Sequence, residues 1–321
     1  MKKHDHLFNA QSCWAGFFAT ILATSALAKP GQLVVVPAGS TDALEDAIAE
    51  AGPDGTVLLE SGAHSESSRV VVDIPVSIIG EEGAVLEVIK IGFGLHILDT
   101  EDVLVEGVSF FPPAGERGDV GILIQDSPHV IIRNNAFAGL ETGIFVHGGD
   151  HVEIAGNVFT DIARWGFIHV NGAHARVTGN VMDGISNGMF LCSTKGQCYD
   201  NAISNTGVGI LLCRFGDGWV VWPDGSSDGA AQPATQWHVA NNKIEHTAIG
   251  ILPTDGAYRN LINNNEISSS ADVDILLEGE FIDEDGVFYP AAIENTVTLG
   301  KYKNVTVWDF GIDNKINGVK K

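Results

Sequence analysis

An asparagine that recurs at a nearly constant interval restricts the fold of this chain more than any other feature. Four of the intervals measure 21 to 23 residues, and one of 41 residues equals an ordinary interval with about 20 inserted residues. The aligned positions are Asn135, Asn157, Asn180, Asn201, Asn242 and Asn265. A period of this length indicates a solenoid, in which each repeat buries its apolar side only against its neighbours.

The segments between these asparagines carry short β-rich runs and no helical periodicity. Most contain a glycine followed by three mostly apolar residues, at Gly94, Gly121, Gly143, Gly166, Gly188, Gly209 and Gly250, with a degenerate copy at Asp274. A second column, three positions before each asparagine, is expected to face inward: Ile132, Ile154, Val177, Cys198, Val239 and Ile262. Short apolar runs separated by Gly, Asn and Asp predict strands joined by tight turns, and the repeat makes them a parallel β-helix.

The recurring asparagine and histidine side chains are interpreted as parts of the architecture. Asn tolerates the left-handed backbone of a sharp corner, and stacked Asn side chains can hydrogen-bond along the helix axis. His129, His151 and His174 enter the same strand on successive turns, so we expect turn residues and no metal site, because their column carries no fixed carboxylate. His169 falls in an apolar column and is expected to be a hydrogen-bonded core residue.

The N-terminal region adds a resemblance. Residues 42–59, DALEDAIAEAGPDGTVLL, resemble the capping helix and first strand of the right-handed parallel β-helix repeat proteins of the pectin-lyase-like superfamily, and residues 76–86, VSIIGEEGAVL, resemble their first full turn. The resemblance spans about 33–300. It implies an all-β, single-stranded right-handed parallel β-helix of about nine turns, opened by a capping helix over 41–51 with Thr41 or Asp42 as its cap. The superfamily includes lyases, hydrolases, epimerases, a copper-enzyme maturation factor and adhesins, so the resemblance leaves the activity open.

Residues 1–28 have the parts of a secretory signal peptide. Lys2 and Lys3 lie in a short polar stretch, and the apolar run that begins at Trp14 ends in a small-residue motif at Ala28. The run is too short for a membrane span, although an uncleaved anchor is the alternative. We expect cleavage after Ala28 and a periplasmic or secreted protein.

The remaining domain, residues 29–321, is strongly acidic. Its formal charge is −24, against −23 for the whole chain, because the first 28 residues carry two lysines and one aspartate. Such a surface repels nucleic acid and anionic membranes. We therefore expect neither as a partner.

Two cysteines share one column of adjacent turns. Cys192 and Cys213 each lie four positions after a column glycine, which places them about one strand spacing apart, within reach of a disulfide. We predict that bond, with free stacked thiols as the alternative. Cys198 belongs to the inward column instead.

The inserted segment 214–236, RFGDGWVVWPDGSSDGAAQPATQ, breaks the period and combines aromatic with acidic residues. Aromatic faces cover the apolar side of a sugar ring, and paired carboxylates can serve as acid and base in glycoside cleavage. The candidate catalytic residues are Asp217, Asp224 and Asp228, with Lys195 and Arg214 as charge partners and Trp219 and Trp222 as the substrate-binding platform. The alternative is a lid whose two tryptophans are buried.

A second irregular segment, 278–289 (EGEFIDEDGVFY), is also acidic and aromatic. Carboxylates at Asp283, Glu284 and Asp285 suit Ca²⁺ by their oxygen ligands, although no EF-hand spacing is present. Ca²⁺ is the one cofactor that the sequence leaves open.

These features predict an exported β-helix protein that binds or cleaves a neutral or cation-screened glycan, in the manner of a lyase or hydrolase, through loops on one face. The alternative is a non-catalytic periplasmic or surface scaffold or assembly factor, including a metalloenzyme-maturation role. Its protein interface, and any self-association, would use an outward column two positions after each glycine, here called the apolar strip. The strip comprises His96, Leu123, Phe145, Ile168, Phe190, Leu211, Leu252 and Leu276.

Overall fold

The computed structural model describes residues 31–90, 92–213, 233–282, 286, 288–302 and 304–318. These residues form a parallel β-solenoid with one α-helix, Leu44–Ala51, at its N-terminal end. The helix is far shorter than a membrane span, and none of the described residues form a helix that could cross a bilayer.

The first sheet stacks twelve short strands, one from each turn. They are Leu33–Val36, Gly55–Leu59, Val76–Gly80, Leu104–Glu106, Ile131–Arg133, Glu153–Ala155, Arg176–Thr178, Gln197–Tyr199, His238–Ala240, Leu261–Asn263, Thr296–Thr298 and Lys315–Asn317. Twelve stacked strands make about eleven turns, whereas the sequence predicts about nine. The difference arises because the first and last turns lack the repeated asparagine and glycine.

The second sheet holds 15 strands, and its longest members continue around a corner of the solenoid. They are Gly62–Ser65, Val70–Val72, Ala84–Glu87, Phe93–Leu98, Ser109–Phe111, Gly118–Gln125, Ala136–His147, Val158–Ala173, Val181–Asp183, Asn187–Thr194, Ala202–Leu212, Lys243–Pro253, Glu266–Ser268, Val273–Leu277 and Val307–Asp309. A separate antiparallel pair joins Phe281–Ile282 to Phe288–Tyr289. Both large sheets are parallel throughout, as the repeat predicts.

The inward columns fill the core. Ile132, Ile154 and Val177 pair in register on successive turns and are fully buried, which confirms the column read from the sequence. Between the sheets, the rings of Phe110, Phe137 and Phe159 stack with centroids 4.9 Å apart. Neighbouring turns thus present like side chains to one another at the strand spacing.

The repeated asparagines form a buried ladder, but they do not occupy the left-handed corner positions that the sequence suggested. Those positions belong to the residue before each asparagine, for example Asn134 (φ 56°) and Asp200 (φ 57°). Asn157 and Asn180 point inward instead, where Asn157 donates from Nδ2 to the Ile132 carbonyl. The ladder satisfies the backbone groups that the corner leaves unpaired.

The capping helix receives its cap from the next turn, which corrects the expectation of Thr41 or Asp42. The Glu66 carboxylate accepts hydrogen bonds from the backbone N–H groups of Ala43 (3.2 Å) and Leu44 (3.1 Å). Asp42 has a left-handed backbone (φ 51°), and its carboxylate accepts from the N–H of Ser67. Local spacing therefore misassigns the cap, because its acceptor lies more than 20 residues away.

Candidate functional site

Both irregular segments leave the solenoid from one outer column, here called the insertion corner, made of Cys192, Cys213, Thr254 and Glu278. The Thr254 N–H donates to the Leu212 carbonyl at 2.8 Å, and the Glu278 N–H donates to the Pro253 carbonyl at 3.0 Å. The Thr254 hydroxyl also donates to the Glu278 carboxylate. Segment 214–236 follows Cys213, and the other segment begins at Glu278, so the residues from which the two segments leave the solenoid lie in one column, two turns apart.

A disulfide closes the base of the first segment. The structure joins Cys192 to Cys213 with their Cα atoms 5.0 Å apart, the pairing expected from their shared column. The chain returns at residues 233–235, where the Ala234 N–H donates to the Cys213 carbonyl at 2.7 Å. The departure and return points are therefore held side by side.

Lys195 lies at the foot of this segment. Its backbone N–H donates to the Thr235 carbonyl at 2.7 Å. The residue occupies a corner with a left-handed backbone (φ 57°), and its side chain is exposed. This corner position follows His174 by one turn in the same column. The structure thus brings Lys195 beside the return point of the segment.

The other predicted site residues of this segment lie outside the described residues. They are Arg214, Asp217, Trp219, Trp222, Asp224 and Asp228. The same holds for the three carboxylates considered for Ca²⁺, at 283–285. Their roles remain predictions.

The apolar strip is largely covered along its middle. Leu123, Phe145 and Phe190 have exposed fractions of 0, 9 and 5% although they point away from the core. The Trp165 ring packs edge-on against Phe190 at 5.0 Å, and Phe93 packs against His96 at 5.5 Å. At these positions the strip is therefore covered and does not form an exposed apolar surface.

A group of charged residues that the sequence did not single out lies at the opposite edge of this outer face. The pairing of Val120 with Thr142, and of Thr142 with Trp165, places Asp119, Glu141 and Arg164 on three successive turns. Burial raises the pKa of the Asp119 carboxyl, a hydrogen bond from Gly92 opposes this, and the Glu141 charge raises the pKa further. We call Asp119 and Glu141 the acid pair.

A carboxyl whose pKa is raised beside a second carboxylate is the arrangement that acid–base chemistry uses. The acid pair escapes a search for repeated residue types because its column changes from Asp to Glu and then to Arg. Charged residues that precede members of the apolar strip along the chain are the sequence signal for this pair.

His169 and Ser193 form a hydrogen-bonded pair that is structural. The His169 Nδ1 lies 2.6 Å from the Ser193 Oγ, its Nε2 lies 3.2 Å from the Gly149 carbonyl oxygen, and both residues are fully buried. Burial lowers the pKa of His169 to about 4. The expectation of a hydrogen-bonded core histidine is confirmed, and no substrate reaches this pair.

The turn role of His129, His151 and His174 is confirmed by left-handed backbones at all three positions (φ 57°, 56° and 60°). Carboxylates nevertheless lie near them, although not at one repeated position of the column. Asp150 lies against His151 and His174, and Asp102 lies 3.6 Å from the Nδ1 of His129. Asp102 belongs to the turn before His129, whereas Asp150 directly precedes His151 and reaches His174 on the next turn.

Comparison with known proteins agrees with the observed fold. Residues 91–221 match the family described as "Right handed beta helix region". No curated protein sequence is similar enough to count as a relative.

Solved structures share the architecture at low sequence identity. A polygalacturonase from Erwinia carotovora subsp. carotovora is 11% identical, with a TM-score of 0.56 over 91% of this chain and 96% of that one. A tailspike protein of the E. coli bacteriophage HK620, in complex with a pentasaccharide, is 12% identical, with a TM-score of 0.52 over 90% of this chain and 60% of that one. PfbA, a surface adhesin of Streptococcus pneumoniae, is 11% identical, with a TM-score of 0.51 over 80% of each chain. At these identities, the likeness is one of fold.

Proposed function

We propose that this chain, a right-handed parallel β-helix, binds and cleaves a glycan beside the insertion corner. The observation that carries the proposal is the departure of both irregular segments from the column of Cys213, Thr254 and Glu278. A regular solenoid offers only flat walls, so in this proposal the two segments supply the walls of a cleft.

The fold neighbours support a carbohydrate ligand. One is a polygalacturonase, and another was solved with a bound pentasaccharide. The composition of the first segment supports it independently, because Trp219 and Trp222 offer apolar faces for sugar rings and lie among carboxylates.

In the proposed site, two of the three carboxylates of Asp217, Asp224 and Asp228 serve as acid and base. The acid protonates the glycosidic oxygen, and the base activates a water molecule or removes a ring proton. Lys195, at the foot of the segment, and Arg214 hold the negative charge of a uronate or of the transition state. Because basic residues are few, the preferred substrate is a neutral glycan or one whose charge is screened by cations.

The location is proposed to be periplasmic or extracellular. The disulfide between Cys192 and Cys213 supports it, because such bonds persist in oxidising compartments. The apolar N-terminal run, interpreted as part of a signal peptide, also supports export.

The experiment is a panel of neutral and uronate polysaccharides, with and without Ca²⁺, read by new reducing ends and by the absorbance of unsaturated uronides. We expect Asp217→Asn, Asp224→Asn or Asp228→Asn to lower activity by at least about 10²-fold, the contribution of one acid or base. Asp272→Asn, an exposed carboxylate elsewhere, is the matched control.

Two results would redirect the proposal. If Asp119→Asn abolishes cleavage while all three segment variants remain active, the acid pair is the catalytic centre. If the wild type neither binds nor cleaves any glycan of the panel, the proposal is wrong.

A non-catalytic surface protein is the second candidate, and exposed apolar side chains at the C-terminal end favour it. Trp308, Phe310 and Phe288 have exposed fractions of 48, 66 and 57%. One structural neighbour is a surface adhesin. A stable oligomer in light scattering, together with no binding or cleavage of any glycan in the panel, would support this candidate.

A further inference from the structure

Two imidazoles and a carboxylate meet on an exposed corner of the solenoid. The rings of His151 and His174 stack on adjacent turns with centroids 4.7 Å apart. Asp150 precedes His151, and one ligand atom from each of the three residues lies within 4.8 Å of the other two. All three residues are exposed, so an ion can reach them from solvent.

The backbone holds these side chains in place. The N–H groups of His151 and His174 donate to the Ala173 carbonyl (2.9 Å) and the Thr194 carbonyl (3.0 Å). One carboxylate oxygen of Asp150 accepts from the Ala173 N–H at 2.7 Å, which orients the group and leaves its second oxygen for a ligand. Neither ring makes a hydrogen bond within the part of the chain that the structure describes.

From this geometry we propose that Asp150, His151 and His174 bind one divalent transition-metal ion, with Zn²⁺ as the representative. Two nitrogen donors and one oxygen donor suit Zn²⁺ and its neighbours Cu²⁺ and Ni²⁺, whereas Ca²⁺ and Mg²⁺ prefer oxygen alone. Three protein ligands leave a coordination position for water. The strongly acidic chain attracts cations to its surface.

The same corner contains an internal comparison. Glu101, Asp102 and His129 also bring three ligand atoms within 4.8 Å, but this group has a single imidazole. The two groups are adjacent, since the His129 and His151 rings lie 5.5 Å apart. We assign the tight site to the group with two imidazoles, because nitrogen donors bind zinc more strongly than additional carboxylates do in this geometry.

The site is distinct from the proposed glycan site, and its test uses no glycan. Untagged full-length protein, stripped of metal with a chelator, is titrated with Zn²⁺ by calorimetry at pH 7.5, and its melting temperature is measured with and without Zn²⁺. We expect one equivalent to bind tightly and the melting temperature to rise, because the ion binds the folded state and links two turns.

Asn is the replacement of choice because it tolerates the left-handed backbone of both histidine positions. We expect His151→Asn and His174→Asn each to weaken zinc binding at least about tenfold, as loss of a direct ligand should. Asp102→Asn should leave the tight site unchanged. His246→Asn, an exposed histidine with a left-handed backbone (φ 53°) at a different corner, is the matched control.

Wild-type protein that binds no zinc, or a His151→Asn, His174→Asn double variant that binds as tightly as the His246→Asn control, would overturn the proposal.

Discussion

Asn157 donates twice to the side-chain oxygen of Asn180, from its backbone N–H at 3.0 Å and from its Nδ2 at 3.1 Å. Asn180 in turn donates to the Ile154 carbonyl at 2.9 Å and to the Asn201 oxygen at 3.0 Å. Each asparagine therefore donates to a backbone carbonyl of the preceding turn, and the asparagine of the next turn makes the same hydrogen bonds. One substitution breaks several hydrogen bonds of fully buried groups.

The first prediction concerns this ladder. Asn180→Ala should lower the free energy of unfolding by about 2–4 kcal/mol, because it leaves buried donors and acceptors without partners. Urea denaturation followed by circular dichroism measures the change. Asn317→Ala, at an exposed residue whose one side-chain hydrogen bond to a described residue is 3.5 Å long, should change stability by less than about 0.5 kcal/mol. Equal losses in the two variants would contradict the ladder's role.

The second prediction concerns the glycine column. A Cβ atom at Gly209 would lie 2.5 Å from the Gly250 carbonyl oxygen and 2.9 Å from the Ile244 Cγ2. Gly209→Ala should therefore cost about 1–3 kcal/mol by overpacking. The control is Gly184→Asn, because nothing lies within 4 Å of a Cβ there and Asn tolerates its φ of +64°. If Gly209→Ala melts at the wild-type temperature, close approach of the turns does not explain the glycines.

The third prediction concerns acid stability. Burial lowers the pKa of His169 to about 4, below the value of about 6.5 in the unfolded chain. The unfolded state therefore takes up a proton first as the pH falls. The stability associated with neutral His169 is complete above pH 6.5 and is lost progressively between about pH 6.5 and pH 4, by about 3 kcal/mol in total.

The test compares urea denaturation of the wild type and His169→Gln across that pH range. Glutamine keeps hydrogen-bonding capacity but does not titrate, so the variant should lose less stability on acidification. The exposed-residue variant His246→Asn should retain the wild-type slope. Parallel slopes for wild type and His169→Gln would refute the assignment.

The fourth prediction concerns the disulfide at the insertion corner. A Cys192→Ser, Cys213→Ser double variant should lose about 3 kcal/mol of stability, since the bond closes a 21-residue separation in the unfolded chain. Reduction of the wild type should produce a similar drop in melting temperature and none in the double variant. If glycan binding also weakens in the double variant, the base of segment 214–236 positions the ligand.

The fifth prediction concerns the buried thiol. Cys198 is fully buried in the core column, and burial raises the pKa of its thiol far above the ordinary range. Iodoacetamide should therefore leave Cys198 unmodified in native protein and label it in urea, as peptide mass spectrometry would show. Rapid native labelling at this position would mean that the core opens locally.

A second, shorter asparagine ladder shows where sequence reasoning fails. Asn260, Asn295 and Asn314 repeat the hydrogen-bonding scheme at another corner, with Nδ2 of Asn260 donating to Asn295 at 2.9 Å and Nδ2 of Asn295 donating to Asn314 at 3.1 Å. Their separation of 35 residues exceeds the main period because the segment after Glu278 lengthens one turn, and their separation of 19 residues is shorter than that period. Insertions hide a spatial column without disturbing it.

The repeat along the chain is enough to predict the parallel β-helix, its inward columns and the shared column of Cys192 and Cys213, because each turn repeats a local requirement for an apolar face, a tight corner and a close approach. The groups that meet across turns become visible only in the folded structure. Glu66 caps the helix from more than 20 positions away, Asp150 joins its neighbour His151 to His174 of the next turn, and Asp119 lies near Glu141 of the next turn. Such contacts depend on how the turns stack, so a local sequence pattern does not predict them.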